Sequence, residues 1–289
     1  MKKNVLVVVN PVSGTIDKSE FIEATLLFAK KENRNCILYT TTGKDDILHI
    51  KTLKNLHKPE KIIVVGGDGT IKMVADAIED QDVILGILPA GSANGLAVEL
   101  DLIRSLQENV EIAFHNHFIE MDMVDINGKK SMHLSDLGLN ASLIKNYKES
   151  DIRGMWGYVL QSITTLIELN EPFTAMIQAN NQILECKARM IIIANSKKYG
   201  TGVVINPDGV IDDGKFELVI IKNLDILLFV EIIAGNITMN SEDVTIISTD
   251  KATINTNFPV SFQMDGEYCG EQTKLDIKIL SKQIKIAIP

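Results

Sequence analysis

The chain Ile62-Ile63-Val64-Val65 is an unbroken apolar run, and the apolar residues after it, Ile71, Val74, Ala75 and Ile78, recur at helical spacing. A short run of that kind reads as a strand buried on both faces, followed by an amphipathic helix. The same alternation runs through the first 120 or so residues: strand near 4–9, helix near 18–33, strand near 35–39, helix near 45–57, strand at 61–65, helix at 71–79 and strand at 83–88. A βαβα series predicts a largely parallel sheet with helices on both faces, where ligands collect at the carboxyl ends of the strands. From about residue 118 the texture changes, and β-rich segments take over: Met190 to Ala194, Phe216 to Ile221, Val244 to Ile247, Lys251 to Asn255 and Val260 to Met264. This half reads as a mostly antiparallel domain, with helical candidates at 155–169 and 224–239. The expected division is an α/β domain over 1–122, rejoined by 275–289, and a β-rich domain over 123–274.

With 289 residues, each domain is long enough to bury a core of its own. Hydrophobic content of 45% and charged content of 23% are ordinary for a globular protein. No apolar run reaches the roughly 18 residues that a bilayer-spanning helix needs. Cys36, Cys186 and Cys269 are far apart and odd in number, which suits reduced thiols in a cytoplasmic protein and shows no zinc spacing. The net charge of −9 argues against nucleic acid as a partner. Lys145, Lys148 and Arg153 near Met155, Trp156 and Tyr158 could touch an anionic lipid surface, or form a solvated helix start with aromatics behind it.

The candidate chemistry sits in the turns. Gly66-Gly67-Asp68-Gly69-Thr70 joins a strand to a helix, and its glycines keep side chains away from a ligand while the N–H groups opening the helix favour an anion. Asp68 would repel a bare phosphate, so it reads as a magnesium contact, an orienter or a plain helix cap. Asn10-Pro11-Val12-Ser13-Gly14 and Pro89-Ala90-Gly91-Ser92-Ala93-Asn94 also follow strands directly and should meet the first loop at one sheet edge. In the second half, Asp265 and Glu267 stand two apart beside the strand Val260 to Met264, which in an extended segment puts both carboxylates on one face. Asp-Gly-Glu is equally a hairpin turn. The P-loop, the GxGxxG dinucleotide turn and the protein-kinase HRD and DFG sets are missing.

Taken in order, Asn10 to Gly14, Gly66 to Thr70, Pro89 to Ala97 and Asp265-Gly266-Glu267 resemble the diacylglycerol-kinase catalytic-domain family of lipid kinases, related to sphingosine and ceramide kinases. The resemblance covers the whole chain. It implies an NAD-kinase-like α/β domain binding ATP through Asn10, Thr40, Gly66, Gly67, Asp68, Gly69, Thr70, Ile71, Lys72, Gly91 and Ser92, the last standing where the family commonly has Thr. It implies Asp265 as the base, Glu267 as its support, and Asp122 as a further functional carboxylate. It also implies a structural Mg²⁺ held by the Asp213 side chain with the Val210 and Lys215 carbonyls, although the Asp-Gly loop there is equally a β-turn. The acceptor side departs from the family pattern, with Asn140 in place of an acid, which leaves the lipid class open. The expected activity is ATP- and Mg²⁺-dependent phosphorylation of a lipid alcohol, diacylglycerol first, by a cytoplasmic protein touching the membrane peripherally. A homodimer stays open. The alternatives are phosphorylation of a soluble nucleotide in the manner of NAD kinase and a non-catalytic nucleotide sensor, with a nicotinamide oxidoreductase further off.

Overall fold

The computed structural model describes residues 3–78, 83–138, 171–199, 203–223 and 242–289. The helical candidates at 155–169 and 224–239, the basic-aromatic stretch at 145–158 and Asn140 lie outside them. The chain divides into two compact units, Met1–Met121 with Gly200–Gly202 and Lys282–Pro289, and Asp122–Tyr199 with Val203–Ser281. The return to the first unit begins at Lys282, later than the 275 expected from the sequence.

The first unit is the parallel α/β domain that the alternating pattern predicts. Strands β1 (Asn4–Val9), β2 (Asn35–Thr40), β3 (Lys61–Gly66) and β4 (Ile84–Pro89) pair in parallel in the order β2-β1-β3-β4. Residues 285 and 286 of the chain's last strand add to β4, also in parallel. Helices α1 (Ser19–Lys31), α2 (Asp46–His57), α3 (Asp68–Ala77), α4 (Gly95–Glu99) and α5 (Leu106–Phe114) complete the unit. Helices α1 and α5 cover one face, where Val5, Val7, Val9, Ile63, Val65 and Leu88 pack with Ala29, Val110 and Phe114. Alternate residues of β1 and β3 are buried on the other face too, so a continuous apolar run was required. Helix α5 lies close over β4: a Cβ on Gly86 would sit 2.6 Å from Ala113 Cβ. The hydrophobic alternation did not reveal α4 and α5, although Ser105 and Glu108 of α5 form a reciprocal capping box that the sequence spells out.

The second unit is antiparallel throughout its described pairings. Its strands are the end of β5 (Phe118–Ile126), β6 (Lys129–Ser131), β7 (Leu134–Gly138), β8 (Phe173–Ala179), β9 (Gln182–Ala188), β10 (Met190–Ala194), β13 (Phe216–Ile221), β14 (Val244–Thr249), β15 (Lys251–Met264) and most of β16 (Glu267–Ala287). A short pairing of β11 (Lys198–Tyr199) with β12 (Val203–Val204) stands apart. The main path runs β14-β13-β10-β7-β15-β16, with the β8–β9 hairpin joined to β15. The two strands expected at 251–255 and 260–264 are one strand that changes partner. Its first half pairs with β8 and its second with β7, with a register shift between Asn255 and Val260. Pro259 lies in that irregularity, where a missing backbone N–H costs no ladder bond. Phe173, Ile177, Ile191, Ile193, Phe216, Leu218, Ile254 and Leu275 build the core.

Candidate active-site residues in the two units

In the first unit the strand order itself marks a ligand position. The chain leaves β1 for β2 on one side and returns to β3 on the other, so the sheet's switch point falls between β1 and β3. The residues at their carboxyl ends are Asn10 and Gly66-Gly67. Asn10 N–H donates to Val65 O at 3.0 Å, and its side-chain Nδ2 donates to Thr70 Oγ1 at 3.0 Å, so Asn10 ties the first loop to the second. Ser13 Oγ donates to Ala90 O at 3.1 Å and joins the first loop to the third. The second and third loops touch backbone to backbone: a Cβ on Gly91 would lie 2.4 Å from Gly67 Cα. Any side chain at Gly91 would force the loops apart. The three glycine-bearing turns therefore meet at one edge.

The bonds of Asp68 support its reading as an orienter. Its carboxylate accepts from Gly95 N at 2.7 Å and from Leu96 N at 3.0 Å, so it orients the third loop by capping α4. Thr70 and Ile71 donate their N–H groups back to Gly67 O, which leaves the N–H groups of Asp68 and Gly69 at the head of α3 as the outward donors. Gly69 is exposed, and a Cβ there would meet nothing within 4 Å. Neither packing nor a positive φ requires glycine at that helical position, where it costs roughly 1 kcal/mol against alanine. Close approach of a ligand is a physical reason for it. Ile71 is buried, so its side chain belongs to the core. Lys72 pairs with Asp76 one turn on at 3.2 Å. Ser92 and Thr40 are exposed hydroxyls, Thr40 at the end of the edge strand β2 opposite Val9. Next to Thr40, Asp46 is buried and accepts from Tyr39 Oη, Thr42 N and Gly43 N. Burial alone would raise its pKa, but these donors outweigh it and hold the carboxyl below its ordinary value. Burial, and then the bond to Asp46, push the Tyr39 phenol up to about 12.

In the second unit Asp265 is the best-held carboxylate of the predicted set. Its Oδ1 accepts from Ser131 Oγ at 3.0 Å and from His133 N at 2.9 Å, and its Oδ2 accepts from Met132 N at 3.0 Å. The extended segment expected for Asp265 and Glu267 is absent. Met264 pairs with Glu267 across β15 and β16, so Asp265-Gly266 is a two-residue hairpin turn with φ of +48° and +84°. That is the twisted turn type that Asp-Gly favours, because both central residues need positive φ. Glu267 therefore opens the next strand, exposed to solvent, instead of sharing a face of one strand with Asp265. Gln263 supports the turn: its Oε1 accepts from Gly266 N at 2.8 Å while its Nε2 donates to the buried Asp136.

Asp122 is fully buried, and its carboxylate accepts from Gly214 N at 2.7 Å while its own N–H donates to Ile211 O at 2.8 Å. It thus clamps the loop that carries Asp213. In that loop Asp213, Val210 and Lys215 are all exposed, and Asp213 Oδ1 accepts from Lys215 N at 3.0 Å. One exposed carboxylate beside main-chain carbonyls is a donor set that suits a hard, partly hydrated cation. Among the described residues no group of three or more His, Cys, Asp or Glu side chains is placed to hold a metal. The residues that sequence reasoning missed are the 131–133 segment, which grips Asp265, and Asn195, which is 1% exposed and donates Nδ2 to Asp122 O and Met132 O. Their one sequence signal was polar residues at the ends of strands, Asn195 just after the apolar run Met190–Ala194 and the 131–133 segment just before Leu134.

Residues 4–126 match the family model of the diacylglycerol kinase catalytic domain, and residues 137–288 match that of the YegS C-terminal NAD kinase beta sandwich-like domain. The chain is 21% identical over 276 residues to a diacylglycerol kinase of Bacillus subtilis, covering 93% of this chain and 91% of that one. It is 26% identical over 238 residues to a Salmonella arizonae protein named probable lipid kinase YegS, covering 80% and 78%. Among solved structures, a diacylglycerol kinase from Bacillus anthracis shares the fold with a TM-score of 0.78 at 18% identity, covering 99% of this chain and 97% of that one. The loops at the switch point and the two matched domains agree, and the chain belongs to the diacylglycerol kinase and YegS family of lipid kinases.

Proposed function

We propose that this kinase transfers the γ-phosphoryl group of ATP to the hydroxyl of diacylglycerol, giving phosphatidic acid and ADP. The observation that carries the reading is Asp265, a carboxylate fixed by three donors on a hairpin tip. Phosphoryl transfer leaves the protein little covalent work, so positioning and charge stabilisation supply most of the rate. The glycine loops of the first unit supply outward N–H groups and hydroxyls for the phosphates, with Asn10 and Asp68 holding the loops in register. Asp265 takes the hydroxyl proton as the lipid oxygen bonds to the γ-phosphorus and the bond from that phosphorus to the bridging oxygen breaks; ADP leaves with the electron pair. The turn fixes the orientation of the carboxylate within the second unit.

Magnesium supplies neutralising charge when bound. The Asp213 carboxylate with the Val210 and Lys215 carbonyls is the site we assign to a structural Mg²⁺, on the chemistry of that donor set. The lipid must be met at a bilayer surface, so the protein docks there peripherally. No described helix is long and apolar enough to cross a membrane.

The test is ATP-dependent labelling of mixed micelles containing diacylglycerol, phosphatidylglycerol, ceramide or sphingosine, with NAD as a soluble control. Labelled phosphatidic acid is the expected product. Labelling of another lipid would move the substrate within the family, and labelled NAD would replace the reading.

A further inference from the structure

The bonds around Asn195 join two features that lie far apart in sequence. Asn195 follows β10, where its main-chain N–H donates to His133 O at 3.1 Å. Its side-chain Nδ2 donates to Met132 O at 3.1 Å and to Asp122 O at 2.8 Å. Met132 and His133 are the two residues whose N–H groups hold Asp265. Asn195 therefore grips, from behind, the peptide segment that grips the carboxylate. Through Asp122 the same amide is tied to the 211–214 loop, because Asp122 binds Ile211 O and Gly214 N.

A buried amide is a costly way to fill space. Removing a polar group from water costs roughly 1–3 kcal/mol unless its bonds are all made, and an apolar residue of similar volume avoids the cost. Asn195 Oδ1 accepts no hydrogen bond from the described residues, so only the donor half of the side chain is used by the protein. Those donors go to two main-chain carbonyls, one on each of the segments that carry the candidate chemistry. A group placed this way fixes backbone geometry, and small backbone errors are what phosphoryl transfer tolerates least.

We propose that Asn195 is a positioning residue for Asp265. It holds the 131–133 segment so that the Met132 and His133 N–H groups point at the carboxylate, and it ties that segment to the Asp122 clamp. The proposal rests on the reading of Asp265 as the base. It goes further by naming a residue that touches neither substrate and acts only through the turn.

The test has two arms, made on Asn195→Ala and on Asn195→Ser, whose hydroxyl can restore one donor. In the first arm, amide hydrogen exchange is measured without substrate. Losing the side-chain donor should speed exchange at Met132 and His133 by about tenfold or more in Asn195→Ala, less in Asn195→Ser, with β8 and β13 unchanged. In the second, kcat should fall by about 100-fold in Asn195→Ala while KM for ATP stays within about twofold, and the loss should shrink in an Asp265→Asn background.

Unchanged exchange at Met132 and His133 overturns the proposal, as does a kcat loss of the same size with or without Asp265. Cooperative unfolding of the second unit in both variants also overturns it, assigning Asn195 to the fold alone. If the wild type transfers no phosphoryl group, the lipid-kinase reading fails, and the exchange arm still decides whether Asn195 holds the turn.

Discussion

The two units solve the same problem, placing a few polar atoms accurately, by opposite means. The first works with absences. Its loops approach because Gly67 and Gly91 have no side chains, Gly69 leaves open space at the head of a helix, and single side chains such as Asn10 and Asp68 stitch neighbouring turns. The second works with buried polar side chains. Asp122, Ser131, Ser135, Asp136, Asn195, Asn206, Glu217 and Gln263 are all removed from solvent, and among them Ser131 and Gln263 bond the hairpin tip directly while Asn195 holds the Met132 segment behind it. The contrast follows from topology. A parallel sheet delivers its loops to one edge automatically, so only their close approach must be arranged. An antiparallel unit has no such edge, and the carboxylate we propose as the base must be built in by long-range bonds.

Asp265→Asn should break the comparison most severely. It removes the proton acceptor while its side chain can keep part of the turn, so kcat should fall by about 10²–10⁴-fold, read in the micelle assay. ATP affinity, which we assign to the loops of the first unit, should stay unchanged.

Lys61 tests the first unit away from its loops. It is 1% exposed at the start of β3, with its ammonium donating to His115 O. Burial, helped by Arg34 and Lys3, brings its pKa down to about 8. The native state then gives up this proton before the unfolded chain does, so between pH 8 and about 10 the unfolded state binds more protons and stability rises with pH. The gain should reach about 2–3 kcal/mol by urea unfolding, and Lys61→Met should flatten the dependence.

Gly91→Ala probes the close approach itself. A Cβ 2.4 Å from Gly67 Cα cannot be accommodated without separating the loops, so stability should fall by about 1–3 kcal/mol and calorimetric ATP affinity with it. Gly69→Ala is the smallest change and the sharpest. With open space and ordinary backbone, it should raise the melting temperature through a gain of about 0.5–1 kcal/mol while weakening ATP binding. A stabilised variant that binds ATP as before would remove the case for Gly69 as a ligand approach.

The same contrast explains what could be read from the sequence. In the first unit strand β1 and helix α2 fall within a residue of their expected limits, because strands buried on both faces and amphipathic helices write their period into the local chain. The loops were legible too, since glycine turns directly after strands are local signals. In the second unit the apolar strands Met190–Ala194 and Phe216–Ile221 were readable to the residue. The grip on Asp265 was not. It joins residues more than 130 positions apart, and two of its three donors are main-chain N–H groups that carry no residue identity. The Asp265–Glu267 geometry went astray for a related reason: spacing of two describes a strand, and only the pairing of Met264 with Glu267 shows that the chain turns there.

The most direct test of the division between units is to measure ATP affinity and lipid phosphorylation on the same preparations of wild type, Asn10→Ala and Asp265→Asn. Asn10→Ala removes the bond from the first loop to Thr70 and should weaken ATP binding, with turnover recovering as ATP is raised. Asp265→Asn should bind ATP as the wild type does and transfer almost nothing at any concentration. An Asp265→Asn protein that turns over normally, or one that loses ATP binding while Asn10→Ala keeps it, would contradict the account.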